Sequence, residues 1–302
     1  MSRVPGGRRL VYVRAIVDTN VWRVDTARPG TPAASLPAAA IASTRHDMGR
    51  NLTPDGRRLV FVSDRSGEAE FWVADPDASN AFQLTSLNIA PGFPRWSPDQ
   101  SMIAFHSAAG VMVVSARGGP PRNIIKGLAG CAFPSFSRDG HWIYFSNMEG
   151  GVARIWKMAG TGGAPVRVTN GSIPIESYDG DLFFYLDNLP SVWRLPRGGG
   201  PAVKVAEGVI SGNFDVLDGG LYYIDRVSGH AGSFIDKPGI DTRLRYFDFA
   251  TSQSTTVAGN LGMIVGAMNE PGGLTASRDG RTVFFARIDS DVNELMLVDN
   301  FR

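Results

Sequence analysis

Apolar runs of four or five residues, unbroken by polar positions, recur down the chain directly behind a short polar turn. Leu59-Val60-Phe61-Val62, Trp142-Ile143-Tyr144-Phe145 and Leu182-Phe183-Phe184-Tyr185 are the clearest. A short run without alternation predicts a strand covered on both faces. The turn ahead of it has the form Pro/Arg-Asp-Gly: TPDGRRLVFV from Thr53, SRDGHWIYF from Ser137, YDGDLFFYL from Tyr178, LDGGLYYI from Leu217 and SRDGRTVFFA from Ser277. SPDQSMIAF from Ser97 is a degenerate copy with Gln100 in place of the glycine, and PGGRRLVYV from Pro5 is a seventh. An aspartate can bond the backbone two residues on and a glycine accepts positive φ, so each turn reverses one strand into the next.

A second strand follows in every unit: NVWRVD from Asn20, EFWVAD from Glu70, GVMVVS from Gly110, RIWKMA from Arg154, SVWRLP from Ser191, LRYFDF from Leu244 and ELMLVD from Glu294. Its third position holds Trp22, Trp72, Met112, Trp156, Trp193, Tyr246 and Met296. Large side chains at one repeat site predict packing between units, because an aromatic buries ~150–250 Å². Short outer strands such as QLTS at Gln83, RVTN at Arg167 and KVAEG at Lys204 come third. Inner strands such as FPRWSPD from Phe93, FPSFSRD from Phe133 and IPIESYD from Ile173 then lead into the next turn.

The turn aspartates Asp55, Asp99, Asp139, Asp179, Asp218 and Asp279 are spaced by 44, 40, 40, 39 and 61 residues. A period of ~40–45 residues is that of a four-stranded propeller blade. The last interval is lengthened by an insertion, RVSGHAGSFIDKPGIDT. Parallel α/β sheets also have doubly covered strands, but they need crossover helices, and no amphipathic stretch of ~10 residues separates the runs. The pattern predicts an all-β chain: a β-propeller of about seven four-stranded blades, radially stacked, forming a single domain over residues 1–302.

In this count the first unit lacks its inner strand and the last its outer strand, so the first and last blades are incomplete. One upstream segment would supply both, which predicts that the chain is the C-terminal part of a longer protein. The opening MSRVPGGRRLVYVR has the arginines of a secretory signal without the apolar stretch of ~7–15 residues that should follow. Residues 29–44, interrupted by Pro29, Pro32 and Pro37, read as a loop plus one short outer strand, too short to span a bilayer. Compartment is left open.

Thirty Lys and Arg balance twenty-nine Asp and Glu. That excludes the basic field of a nucleic-acid-binding surface, so direct binding to DNA or RNA is not expected of this segment. Cys131 is the only cysteine, which leaves no internal disulfide and no thiolate-rich zinc site.

The phrases FPRWSPD, TPDGRRLVFVSDRSGEAEFWVAD and FPSFSRDGHWIYFSNMEGGVARIWKM resemble the TolB-like, WD40-like repeats also found in the propellers of the dipeptidyl peptidase IV and tricorn families. DTNVWRVD at Asp18, STRHD at Ser43 and the terminal ELMLVDNFR at Glu294 are similar to the C-terminal propeller of bacterial regulators with an N-terminal winged-helix domain. The resemblance covers nearly the whole chain. It implies a propeller that binds a protein partner or a small ligand at the channel mouth or rim, as a sensor or interaction module. The alternative it implies is the accessory propeller of a dipeptidyl peptidase or prolyl oligopeptidase-type hydrolase. No functional residue carries over from these families.

Candidate chemistry is sparse. No Gly-x-Ser-x-Gly elbow occurs, and His46, His106, His141 and His230 sit in different repeats. Asp289, Asp291 and Asn293 imitate the opening of a calcium loop, but Glu294 stands where glycine belongs and Asn300 where glutamate belongs, so a polar hairpin turn is expected. GTGGAP at Gly160 and RGGGP at Arg197 open no helix and read as turns between outer strands. Cys131, with no histidine beside it in sequence, reads as a small buried hydrophobe. The expectation is therefore a non-enzymatic chain with no catalytic, cofactor or metal residues. Arg95 and Glu176, on inner strands, are the candidate channel-facing binding residues.

Overall fold

A computed structural model describes residues 9–125, 128, 130–186, 190–226, 242–265 and 273–299. All regular elements among them are strands, arranged as six antiparallel sheets around a central channel. Blades I to V are consecutive four-stranded meanders over residues 47–83, 92–123, 131–170, 172–207 and 209–258. In each, the first strand is innermost: Asp47–Leu52, Gly92–Trp96, Cys131–Phe136, Ser172–Glu176 and Val209–Val216. Inner strands of successive blades touch around the ring.

Blade VI joins the two ends of the chain. Its inner strands are Thr275–Ala276 and Met263–Ile264, followed outward by Thr282–Asp299, Arg9–Asp25 and Ala38–Ile41. The propeller therefore has six blades, not about seven. RLVYV and NVWRVD, read from sequence as strands of a first blade, belong to one 17-residue strand. TVFFA and ELMLVD likewise form one 18-residue strand, and the two pair from Arg9↔Asp299 to Asp25↔Thr282. Thr19–Asp25 pairs with Thr282–Ile288 inside the blade; Arg9–Asp18 and Ser290–Asp299 continue beyond it as a two-stranded ribbon. With blade VI closed in this way, the first and last units of the sequence pattern are halves of one blade and not two incomplete blades.

The polar hairpin turn expected at Asp289–Asn293 is also corrected, because the strand runs through it. Asp289 is the extra residue of a bulge opposite Asp18/Thr19. Its carboxylate accepts bonds from Asn20 Nδ2 (2.8 Å), Trp22 Nε1 (3.0 Å) and Arg287 Nε (2.6 Å), which fixes the bulge.

One cross-strand pair repeats in every blade: Phe61↔Trp72, Phe105↔Met112, Phe145↔Trp156, Phe184↔Trp193, Tyr222↔Tyr246 and Phe285↔Trp22. The first member of each pair is at most 2% exposed. The core lies between neighbouring blades. Phe145 and Trp156 pack with Val111 and Ile125 of blade II, and Trp22 and Phe285 pack with Tyr222 and Leu244 of blade V. Tyr12↔Met296 is the same pair in the ribbon, where among the described residues no blade covers it and Val11, Val13, Leu295 and Leu297 are exposed.

The turns owe their shape to a hydroxyl as well as to the aspartate. Thr53, Ser97, Ser137, Ser177 and Ser277 donate to Asp55, Asp99, Asp139, Asp179 and Asp279 at 2.5–2.7 Å. Four of the same hydroxyls accept the N–H of the residue that opens or precedes the following strand; Met102 N donates to Ser97 Oγ at 3.0 Å and Trp142 N to Ser137 Oγ at 2.8 Å. The Ser137 hydroxyl bond comes first in holding the Asp139 carboxyl down to about 2, and the backbone N–H of His141 adds to it. The insertion at 227–241, with His230, lies outside the described residues.

Candidate functional site: the central channel

Each blade has a residue at positive φ six positions ahead of the turn aspartate, on the inner strand in blades I to V and just before Thr275–Ala276 in blade VI. These are Gly49 (52°), Phe93 (53°), Phe133 (53°), Ile173 (53°), Gly212 (73°) and Gly273 (63°). In blades I to V they lie within a register break of the inner pair. A side chain beyond Gly at such φ costs ~1–3 kcal/mol, and a β-branched Ile is the most unusual case. The repeat nevertheless holds three bulky residues there, and positions that follow the break bond across to neighbouring blades.

Those positions latch the ring. Asn51 Oδ1 accepts from Trp96 N (2.9 Å) on blade II, while Leu52 N donates to Thr275 Oγ1 (3.2 Å) on blade VI. Asp215 Oδ2 accepts from Ala276 N (3.0 Å), and Ile173 N donates to Ser146 Oγ (3.1 Å). Glu176, one of the two candidate binding residues, is engaged in the same way. Its Oε1 accepts from Arg138 N (3.0 Å) and its Oε2 from the Tyr144 hydroxyl (2.7 Å). Burial, and then Glu176, raise the Tyr144 phenol far above its usual range, so it stays a donor. Arg138 is satisfied too, giving Nε to the Glu176 carbonyl and Nη2 to the Val216 carbonyl.

Arg95, the other candidate, is placed differently. It is 6% exposed, its guanidinium lies 4.5 Å from the Phe93 ring centre, and its Nε and Nη2 have no hydrogen-bond partner. Arg50, which the sequence reading passed over, is 2% exposed. Its Nη2 donates to the Gly273 carbonyl across the blade VI boundary, while Nε and Nη1 have no partner. Burial, with the Arg95 charge adding to it, pushes Arg50 well below the usual arginine range. Burial also lowers Arg95, with Asp215 opposing and Arg138 reinforcing the shift. Arg95 stands on the inner strand of blade II, within electrostatic reach of Arg50 on blade I, Arg138 on blade III and Asp215 on blade V.

Cavities lie at both ends of the inner strands. At the turn end, a cavity of about 80 Å³ is lined by Asp215, Trp96 and Tyr178, whose ring lies under the guanidiniums of Arg138 (4.1 Å) and Arg278 (4.8 Å). At the opposite end, a cavity of about 290 Å³ is lined chiefly by Met48, Val62, Phe93 and Val265, with His46 and His106. Sequence spacing does not disclose that these two histidines line one cavity. His106 Nδ1 accepts the Phe133 N–H (3.3 Å), and its ring packs edge-on against Phe133 at 5.0 Å. His141 is elsewhere, on an exposed turn beside Asp139. Cys131 is 3% exposed, its thiol donates to the Leu128 carbonyl, and burial pushes the thiol up to about 11, where it is unreactive. Among the described residues no three His, Cys, Asp or Glu side chains converge as metal ligands.

Burial lowers His106 to about 4, against 6.5 when unfolded. The folded state then binds fewer protons than the unfolded state between these values, so stability is full above pH ~6.5 and falls as pH drops toward ~4. At ~1.4 kcal/mol per pH unit the loss reaches roughly 3 kcal/mol. A pH series of denaturant midpoints checks this: the decline over that window should shrink in His106→Gln.

The architecture is that of a TolB-like β-propeller. A structure described as a putative TolB from Agrobacterium tumefaciens superposes with a TM-score of 0.71 at 17% identity, over 91% of this chain and 99% of that one. Among curated relatives, a TolB homolog from Chlorobaculum tepidum is 29% identical over 48% of this chain and 28% of its own length. The uncharacterized peptidase YuxL from Bacillus subtilis is 24% identical over 47% of this chain and 28% of its own length. The chain thus spans little more than a quarter of either relative. No family model matches the chain.

Proposed function

We propose that the chain is a non-enzymatic binding propeller, engaging a protein segment or a small ligand through the channel. The supporting observation is the mouth cavity of about 290 Å³, mainly apolar, with His106 committed as acceptor to a backbone N–H and kept neutral by burial. Such a cavity, apolar with a few fixed polar groups, is suited to recognition. The tested consequence is that purified protein does not turn over chromogenic esters or peptide anilides. Steady hydrolysis abolished by one Ser or His substitution in this chain would overturn the reading.

A second reading is supported by the likeness to YuxL: an accessory propeller beside a hydrolase domain. A sensory role beside a winged-helix domain, as the quoted motifs suggest, is a third. A hydrolase or a winged helix encoded in the same reading frame separates these two.

A further inference from the structure

Two buried guanidiniums on adjacent inner strands leave four N–H-bearing nitrogens without partners: Nε and Nη1 of Arg50, and Nε and Nη2 of Arg95. The Ser135 hydroxyl, on the next inner strand at the repeat position of Arg95, is buried and unpartnered as well. Buried charges are ordinarily paired, because desolvation of an unpaired ion costs several kcal/mol and two like charges together add to it. Position in the repeat makes the point sharper. Where blades II, III and IV carry Pro94, Pro134 and Pro174, blade I carries Arg50. Among the described residues, Asp215 is the acid whose charge bears on Arg95, and Glu176 is engaged with Arg138 and Tyr144. Asp215 in turn has its oxygens on the N–H groups of Val216 and Ala276.

We propose that Arg50 and Arg95, with the Ser135 hydroxyl, form a binding centre inside the channel for a small oxyanion, the carboxylate or phosphate group of a ligand entering by a mouth. Planar guanidinium forks are the donors best matched to such groups, and the Phe93 ring holds the Arg95 fork from one side. Phe93 also lines the larger cavity, so a ligand with an anionic head and an apolar body would place one in the channel and the other in the mouth. This rests on the channel being the recognition site. Ester hydrolysis, which would defeat that reading, leaves the anion titration below unaffected, so the two failures are distinguishable.

The experiment is thermal unfolding of the full chain in low-salt buffer, titrated in parallel with inorganic phosphate, sodium acetate and sodium chloride at matched ionic strength. Phosphate or acetate should raise the midpoint saturably above the chloride control, since a ligand bound only by the native state stabilises it. Whichever arm responds names the ligand group. Arg95→Met should raise the midpoint in the ion-poor buffer, because it removes a buried uncompensated charge, and should weaken anion binding at least tenfold; Arg95→Lys should keep part of it. No increment over chloride, or the same increment in Arg95→Met, overturns the proposal. If Arg95→Met does not fold, calorimetric titration of the native chain decides: saturable binding of phosphate or acetate, absent in Arg50→Met, supports the proposal, and its absence from the native chain overturns it.

Discussion

Replacing Phe145 by alanine should destabilise the protein by about 3–5 kcal/mol, the range for deleting a large aromatic from a packed core. Phe145 is 0% exposed and packs with Val111, Ile125, Cys131 and Met158, so it joins blade II to blade III as well as strand to strand within its own blade. Its cross-strand partner Trp156 is only partly buried, and its indole Nε1 has no hydrogen-bond partner. Trp156→Ala should therefore cost less than Phe145→Ala, although the sequence draws the eye to the tryptophan column first. Urea midpoints of the two variants check the order. Equal losses would mean that the second strand, not the strand behind the turn, carries the contact between blades.

That contrast shows what the sequence discloses and what it hides. The turn aspartates, the doubly covered runs and the aromatic column are local chemistry repeated, so the propeller is legible from them. Blade number is not. RLVYV and ELMLVD keep the repeat's phase, with Tyr12 opposite Met296 as Phe61 is opposite Trp72, yet most of their apolar side chains are exposed and, among the described residues, no inner strand joins them. Periodicity reports a strand's pattern and not what covers it. A usable signal was present in the linking segments: neither Arg14–Thr19 nor Arg287–Asn293 contains a Gly or Pro, so nothing forces the chain to turn there.

The channel was legible only in part. Arg95 and Glu176 were both reachable by placing inner strands, but which of them is engaged depends on Arg138 and Tyr144, from another blade. Arg50 sits in DMGRNLTPD, a copy of the inner strand whose Gly49 and Arg50 replace the bulky residue and proline of FPRWSPD. An arginine in a column of prolines was the visible mark. The meeting of His46 and His106 in one cavity depends on how blades I and II stack, which no spacing within either strand encodes.

Closure of the ring gives the other large effect. Val21→Pro should destabilise the protein by about 3 kcal/mol or more, whereas Val11→Pro, in the same strand, should change stability by about 0.5 kcal/mol or less. Val21 is 0% exposed and lies between Ala286 on one side and Ile41 on the other, within the sheet that, among the described residues, joins the two ends of the chain. Proline there removes a ladder donor, leaves a buried acceptor unpaired at ~1–3 kcal/mol, and displaces a valine worth ~1.5–3 kcal/mol of burial. Opening this sheet would also expose strand edges, so the variant should unfold less cooperatively and be nicked faster by protease. Val11 pairs with Leu297 on the exposed ribbon, outside the blade, where its side chain is already 47% exposed. Guanidinium midpoints and limited proteolysis of the two variants check the difference. A comparable loss in Val11→Pro would show that the ribbon shares in closing the propeller; a small loss there, beside a large one at Val21, assigns closure to the seven-residue stretch Thr19–Asp25 against Thr282–Ile288.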